Sequence, residues 1–184
     1  MPRSAETEAE FAEFMAARSS QLYRSAYLLT TSPHAAEDLL QTALAKTYAA
    51  WGRVRAADDP VAYVHGVLIK SFLSERRRRS STELPVADAP LVSLTQRPAA
   101  TADPTERVAL MAALSQLAPL DRAVVVLRFW EDRSVTQTAA DLDLSEAAVK
   151  NRSLRALRTL RGLLADTAEP ADTTPSTTST RSTT

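Results

Sequence analysis

Between Ser145 and Arg161 the chain reads SEAAVKNRSLRALRTLR, a stretch with five cations, one glutamate and one asparagine. Guanidinium and ammonium groups neutralise phosphates or donate to guanine edges. An asparagine amide can pair with a base edge, and a leucine can pack on a thymine methyl. Such contacts require the side chains to stand together on one rigid face. On a wheel of about 100° per residue with Val149 at zero, Ser153, Ala156, Leu157 and Leu160 fall within roughly 80° and form an apolar seam. Lys150, Asn151, Leu154, Arg155 and Arg158 face the other way, with Arg152 flanking them. The spacing predicts a helix with a narrow greasy seam, a broad basic flank and a leucine standing among cations. A solvated basic face with an incidental leucine would read the same way on its own.

The preceding residues decide between these readings. Ser134 is followed three positions later by Gln137, a capping-box pattern that starts a helix near Val135. That helix is expected to end around Leu142, with Asp143 where a tight turn needs a residue that tolerates left-handed backbone. Ser145 then caps a new helix, and Glu146 in its first turn suits the helix dipole. A short helix, a three-residue turn and a longer helix have helix-turn-helix spacing. The basic face is therefore read as a DNA recognition face.

The bulk composition neither contradicts nor supplies this. Lys plus Arg and Asp plus Glu are each 22 in 184 residues, but the charge is uneven: residues 1–15 hold four Glu against one Arg. Local sign, not the total, decides where a polyanion docks. With no cysteine and two histidines, His34 and His65, disulfides and Cys-type zinc sites are excluded and no metal site is expected. No cofactor is expected, and no Gly-rich phosphate loop or nucleophile–base arrangement suggests an enzyme. The N-terminus is too acidic for a signal peptide, and no apolar run approaches the roughly 18 residues of a membrane span. The expectation is a soluble, cytoplasmic protein without membrane insertion.

Three glycines and no strand-like alternation predict an all-α chain. Apolar residues recur at helical spacing from Phe11 through Phe14, Met15, Leu22, Ala26 and Leu29. Ser32-Pro33 and Asp59-Pro60 each pair a cap with a proline at the first helical position. The helices they open are expected to run to about Trp51 and to the basic run ending at Arg79. Residues 80–106 carry four prolines and no apolar period, and read as a flexible linker. The Thr/Ser/Pro-rich end, 166–184, reads as disordered. The layout is two small helical domains, 1–79 and 107–165, joined by the linker and expected to move independently when free.

The stretch LSQLAPLDRAVVVLRFWEDRSVTQTAADLDLSEAAVKNRSLRALRTLR (114–161) resembles region 4, the promoter-binding domain, of extracytoplasmic-function (ECF) sigma factors. The segments DLLQTALAKTYAAWGRV and DPVAYVHGVLIKSFLSERRRR, within 38–79, resemble their region 2 helical bundle. Order, spacing and the intervening linker agree as well, and the actinobacterial sigma-E-like branch is the most similar. The resemblance implies an alternative sigma factor, a noncatalytic subunit that binds core RNA polymerase and directs initiation at particular promoters. Region 2 would bind the polymerase β′ clamp helices and the −10 element. Region 4 would read the −35 element while docked on the β flap, and the linker would thread toward the RNA exit channel. An anti-sigma factor is a further partner that the resemblance suggests. The competing reading is a helix-turn-helix regulator that does not act as a polymerase subunit.

Carried residue by residue, the resemblance assigns −35 base reading to Lys150, Asn151, Leu154 and Arg155, with Arg152 on phosphate. Polymerase binding falls on the outward strip Asp38, Gln41, Thr42 and Ala45, where the family often has Glu at the position of Thr42. The −10 candidates are Arg53 and Arg55 in the loop 52–59, then His65, Lys70, Arg76 and Arg77 on the following helix. His65 is expected to be partly outward, while Trp51 and Tyr63 are expected in the core. Two departures stand out: Lys70 replaces the family's usual Asn, and Asp143 its usual turn Gly. Gly66 also lies in a helix interior, where it costs roughly 1 kcal/mol against Ala.

Overall fold

The structure, a computed structural model, describes residues 5–82 and 103–168; expectations for the rest of the linker and tail lie outside the described residues. Among these residues the chain is helical and contains no strand. The first half holds α1 (Ala5–Thr30), α2 (Pro33–Ala49), α3 (Trp51–Val54) and α4 (Pro60–Thr82). The second holds α5 (Pro104–Ser115), α6 (Pro119–Val125), α7 (Val135–Leu142) and α8 (Glu146–Ala168). A π-helical turn, Val126–Trp130, extends α6.

The helix starts follow local chemistry. Ser32 Oγ accepts from Ala35 N at 3.5 Å, and Asp59 Oδ1 accepts from Ala62 N at 2.9 Å, each ahead of a proline. Asp103 does the same for α5, accepting from Thr105 N at 3.0 Å before Pro104. Each side-chain oxygen satisfies one of the amides that a helix start leaves unpaired. α1 stops at Thr31, whose φ of 59° breaks the helical path.

Among the described residues, packing falls within the first half, within the second and between the two. The first half closes over Leu22, Trp51, Val54 and Val64, with Phe11 and Phe14 against them. The Trp51 ring lies 5.2 Å from Phe11 and 5.3 Å from Phe14, which places it in the core as expected. Tyr63 corrects its expectation: it is 36% exposed, because it lines an open cleft beside Lys46 and Ala50 instead of entering the core. In the second half Val124, Ala139 and Val149 pin α6, α7 and α8 together.

The third region joins the halves, which the expectation of independent domains did not include. Ala26, Leu29, Leu39, Leu68 and Phe72 of the first half share one buried cluster with Ala123, Val126 and Leu127 of the second. Burial of each large apolar side chain contributes roughly 1.5–3 kcal/mol, so this contact is not incidental. Polar groups seal its margin. Arg122, 4% exposed, donates to Leu29 O across the halves at 2.8 Å and to Ser115 O and Leu117 O within its own.

Candidate nucleic-acid and polymerase interfaces

The helix-turn-helix forms as its sequence dictates. Ser134 and Gln137 make the reciprocal capping box, with Gln137 N to Ser134 Oγ at 3.1 Å and Ser134 N to Gln137 Oε1 at 2.9 Å. α7 ends on Asp143 in left-handed backbone, φ 55° and ψ 49°. Ser145 then caps α8 by accepting from Ala148 N at 3.1 Å.

On α8 the outward set stands much as the wheel places it. Lys150, Asn151, Leu154 and Arg158 are exposed, and Leu154 keeps about half of its surface, 51%. Val149, Ala156 and Leu160 are buried as the seam. Leu157 corrects the wheel: assigned to the seam, it is 36% exposed and lines a shallow surface groove with Leu160 and Leu164. Lys150 lies 4.0 Å from Glu146 one turn earlier, an exposed pair worth little.

Arg152 and Arg155 are not free, and this was missed. Both converge on Asp121 of α6, which is 5% exposed. Arg152 Nη1 donates to Asp121 Oδ1 at 2.7 Å. Arg155 presents its forked edge, Nε at 3.1 Å and Nη2 at 2.6 Å from Oδ2, with Nη2 also 2.8 Å from Oδ1. Charge-assisted hydrogen bonds thus take the place of water around this carboxylate.

The strip expected to meet polymerase is open to solvent. Asp38, Gln41, Thr42 and Ala45 are all exposed on α2, opposite buried Ala36, Leu39, Ala43 and Thr47. Asp38 lies 3.7 Å from His34 on the preceding turn.

The −10 candidates are less uniform. Arg53 is exposed, and Arg55 pairs with Glu10 of α1 at 2.9 Å. Arg76 is half-buried, its guanidinium 5.7 Å above the Phe72 ring. Lys70 and Arg77 are exposed and line a cleft of about 680 Å³ with Lys46. Asp141 and Asp143, from the end of α7 and its turn, line the same cleft. Carboxylates of one half thus stand across from cations of the other.

His65 is the clear correction. Expected to be partly outward, it is 4% exposed, because Glu131 of the second half covers that face of α4. Its Nδ1 lies 3.1 Å from Glu131 Oε1, though not aligned as a hydrogen bond, and both side chains are nearly enclosed at 5% and 7% exposed. Ser25 Oγ donates to Glu131 Oε1, and Gln21 Nε2 donates to Oε2 at 3.4 Å. Burial pushes the Glu131 carboxyl up, but the His65 ring and the Ser25 and Gln21 donors outweigh it and hold the group below its ordinary value. Burial, aided by repulsion from Arg76, pulls the Arg122 guanidinium down to about 10, so it stays charged at neutral pH.

Asp121, Arg122 and Glu131 are the residues that the sequence reading passed over. One signal was available. The run AVVVL, 123–127, has no polar face, and all five residues are buried. A helix apolar all round needs cover from more than its own half.

Among the described residues no group of His, Cys, Asp and Glu could hold a metal ion, and no helix is long and apolar enough to cross a membrane.

Comparison with known proteins agrees with this geometry. Residues 14–82 match the family described as Sigma-70 region 2, and residues 107–160 match Sigma-70, region 4. The chain is 40% identical over 147 residues to an RNA polymerase sigma-E factor of Streptomyces coelicolor, covering 80% of this chain and 81% of that one. It is 41% identical over 147 residues to that of Streptomyces avermitilis, covering 80% of each. The ECF RNA polymerase sigma factor SigM of Mycobacterium tuberculosis is 29% identical over 136 residues, 74% of this chain and 67% of that one. Among solved structures, the fold matches sigma factor RpoE from Bartonella quintana, crystallised with anti-sigma factor NepR. The TM-score is 0.67 at 22% identity, over 85% of this chain and 97% of that one.

Proposed function

The chain belongs to the sigma-70 family, as an ECF sigma factor of the actinobacterial sigma-E branch, and on that premise we propose how its parts divide the work of promoter recognition. It is an alternative sigma factor that binds core RNA polymerase and directs promoter-specific initiation. It works in the cytoplasm beside the polymerase and performs no catalysis of its own. An anti-sigma factor remains part of the proposed partner set.

The observation that carries the assignment is the exposed row Lys150, Asn151 and Leu154 on the second helix of a correctly capped helix-turn-helix. That row reads the −35 element, with Arg152 and Arg155 beside it. The bare strip Asp38, Gln41, Thr42 and Ala45 packs on the β′ clamp helices; small and polar side chains let another helix approach closely. Lys70, Arg77 and Arg53 approach the −10 element and its phosphates.

The −10 and −35 elements lie roughly 25 base pairs apart, about 85 Å of duplex at 3.4 Å per pair. Halves that share a core cannot span that length, so engagement of both elements separates them. The masked face of α4, including His65, then becomes available.

Run-off transcription with core polymerase and a promoter library tests the reading. Addition of the chain should yield transcripts from a defined set of promoters sharing −35 and −10 sequences. Substituting Asp38 and Gln41 with Arg should weaken holoenzyme formation while helicity is unchanged. A chain that binds DNA but never co-purifies with core polymerase would be a regulator, and the proposal would fall.

A further inference from the structure

The clamp between α6 and α8 carries a consequence for specificity. An arginine recognises a guanine with the same forked edge that Arg155 here applies to a carboxylate. That edge, Nε and Nη2, is occupied by Asp121 through three contacts of 2.6–3.1 Å. Arg152 is held on the same carboxylate at 2.7 Å. Asp121 is itself 5% exposed, so water competes poorly for it, and releasing either arginine would leave a buried charge underpaired. Lys150, Asn151 and Leu154 have no comparable tether to the body of the domain; the Lys150 contact with Glu146 is exposed and long at 4.0 Å.

We propose that Asp121 is a positioning residue that sets −35 specificity by pinning Arg152 and Arg155 as a fixed cationic pair for the phosphate backbone. Base reading is thereby left to Lys150, Asn151 and Leu154. This rests on the reading of α8 as the −35 helix and revises that reading at Arg155, which no longer discriminates bases. The remaining Nη1 of Arg155 and the outer edge of Arg152 supply charge without sequence information.

The test uses holoenzyme on a promoter library with a randomised −35 element, measuring binding for each sequence and its dependence on salt. Arg155→Ala should weaken all sequences by a similar factor, leave base preference unchanged and lower the salt slope by about one. Asp121→Asn should free the fork, so that preference for guanine at one or two positions rises at least about fivefold. Asp121→Asn combined with Arg155→Ala should lose that new preference, because it depends on the released fork. Asn151→Ala is the reference for the underlying reading and should change base preference in the otherwise unaltered chain. If no substitution on α8 affects the −35 element, the assignment of the helix has failed. If Asn151→Ala alters preference but Arg155→Ala alone also shifts it fivefold or more, the pinning has failed while the helix assignment stands. Should Asp121→Asn not fold, Arg155→Ala by itself decides between a backbone contact and a base reader.

Discussion

Helices α4 and α8 carry the two sets of cations proposed for promoter contact, yet they meet solvent differently. On α8 the outward face is open, and Arg152 and Arg155 are tied down by Asp121 from the same half. On α4 part of the face is covered by the other half: His65 lies against Glu131, and Lys70 and Arg77 look across a cleft toward Asp141 and Asp143. On the proposed assignment, α8 is thus prepared before any DNA arrives, whereas α4 waits for the halves to part. A local clamp orders a surface; a clamp between halves withholds one.

The most severe way to break that contrast is to remove the polar clasp at the margin of the shared core. Arg122→Met should strip the buried Leu29 and Leu117 carbonyls and the part-buried Ser115 carbonyl of their donor and lower stability by about 2–3 kcal/mol, at roughly 1 kcal/mol for each bond lost. Urea unfolding measures the loss, and small-angle scattering should show the chain extending. A change below about 1 kcal/mol would mean that Leu29 and its neighbours seal the seam without Arg122.

Glu131→Gln should have a smaller effect, about 1–2 kcal/mol at neutral pH. Its pH dependence sharpens the comparison. A carboxyl held below its ordinary value contributes stability that is complete above the unfolded-state value and is lost as pH falls through the lowered folded-state value. The intact chain should therefore lose interface stability on acidification below the ordinary glutamate range, and Glu131→Gln should flatten that part of the profile. Urea midpoints collected across this range decide it; identical slopes in both proteins would remove Glu131 from the account.

Gly66→Ala should have the mildest effect and the opposite sign. A Cβ built on Gly66 meets nothing within 4 Å, and the residue lies inside α4. The substitution should stabilise the chain by about 0.5–1 kcal/mol through the backbone freedom removed from the unfolded state. A higher Tm with unchanged transcription would show that this side of α4 is open in solution; a lower Tm would mean that something packs there.

What could be read in advance divides along the same line. The caps at Ser32, Asp59 and Ser134 and the turn at Asp143 were legible because each is settled within about four residues of chain. The outward strips of α2 and α8 were legible because 3.6-residue periodicity separates them from the core. The cross-half contacts were not. Arg122 reaches Leu29 over 93 positions and Ser25 reaches Glu131 over 106, and no local pattern encodes such a partner. His65 looked partly outward because a wheel drawn for α4 alone cannot include a neighbour from the distant half. Leu157 failed in the reverse sense, since its wheel position was apolar but the side chain lines a shallow surface groove.

The placement of the two tryptophans gives the molecule its own optical gauge. Trp51 is enclosed by Phe11 and Phe14, at 4% exposed, whereas Trp130 is 49% exposed and adjoins Glu131 at the seam between the halves. Their emission should separate into a blue component that resists acrylamide and a red component that acrylamide quenches. If polymerase draws the halves apart as proposed, only the red component should respond, so fluorescence lifetimes can follow the opening without any attached dye.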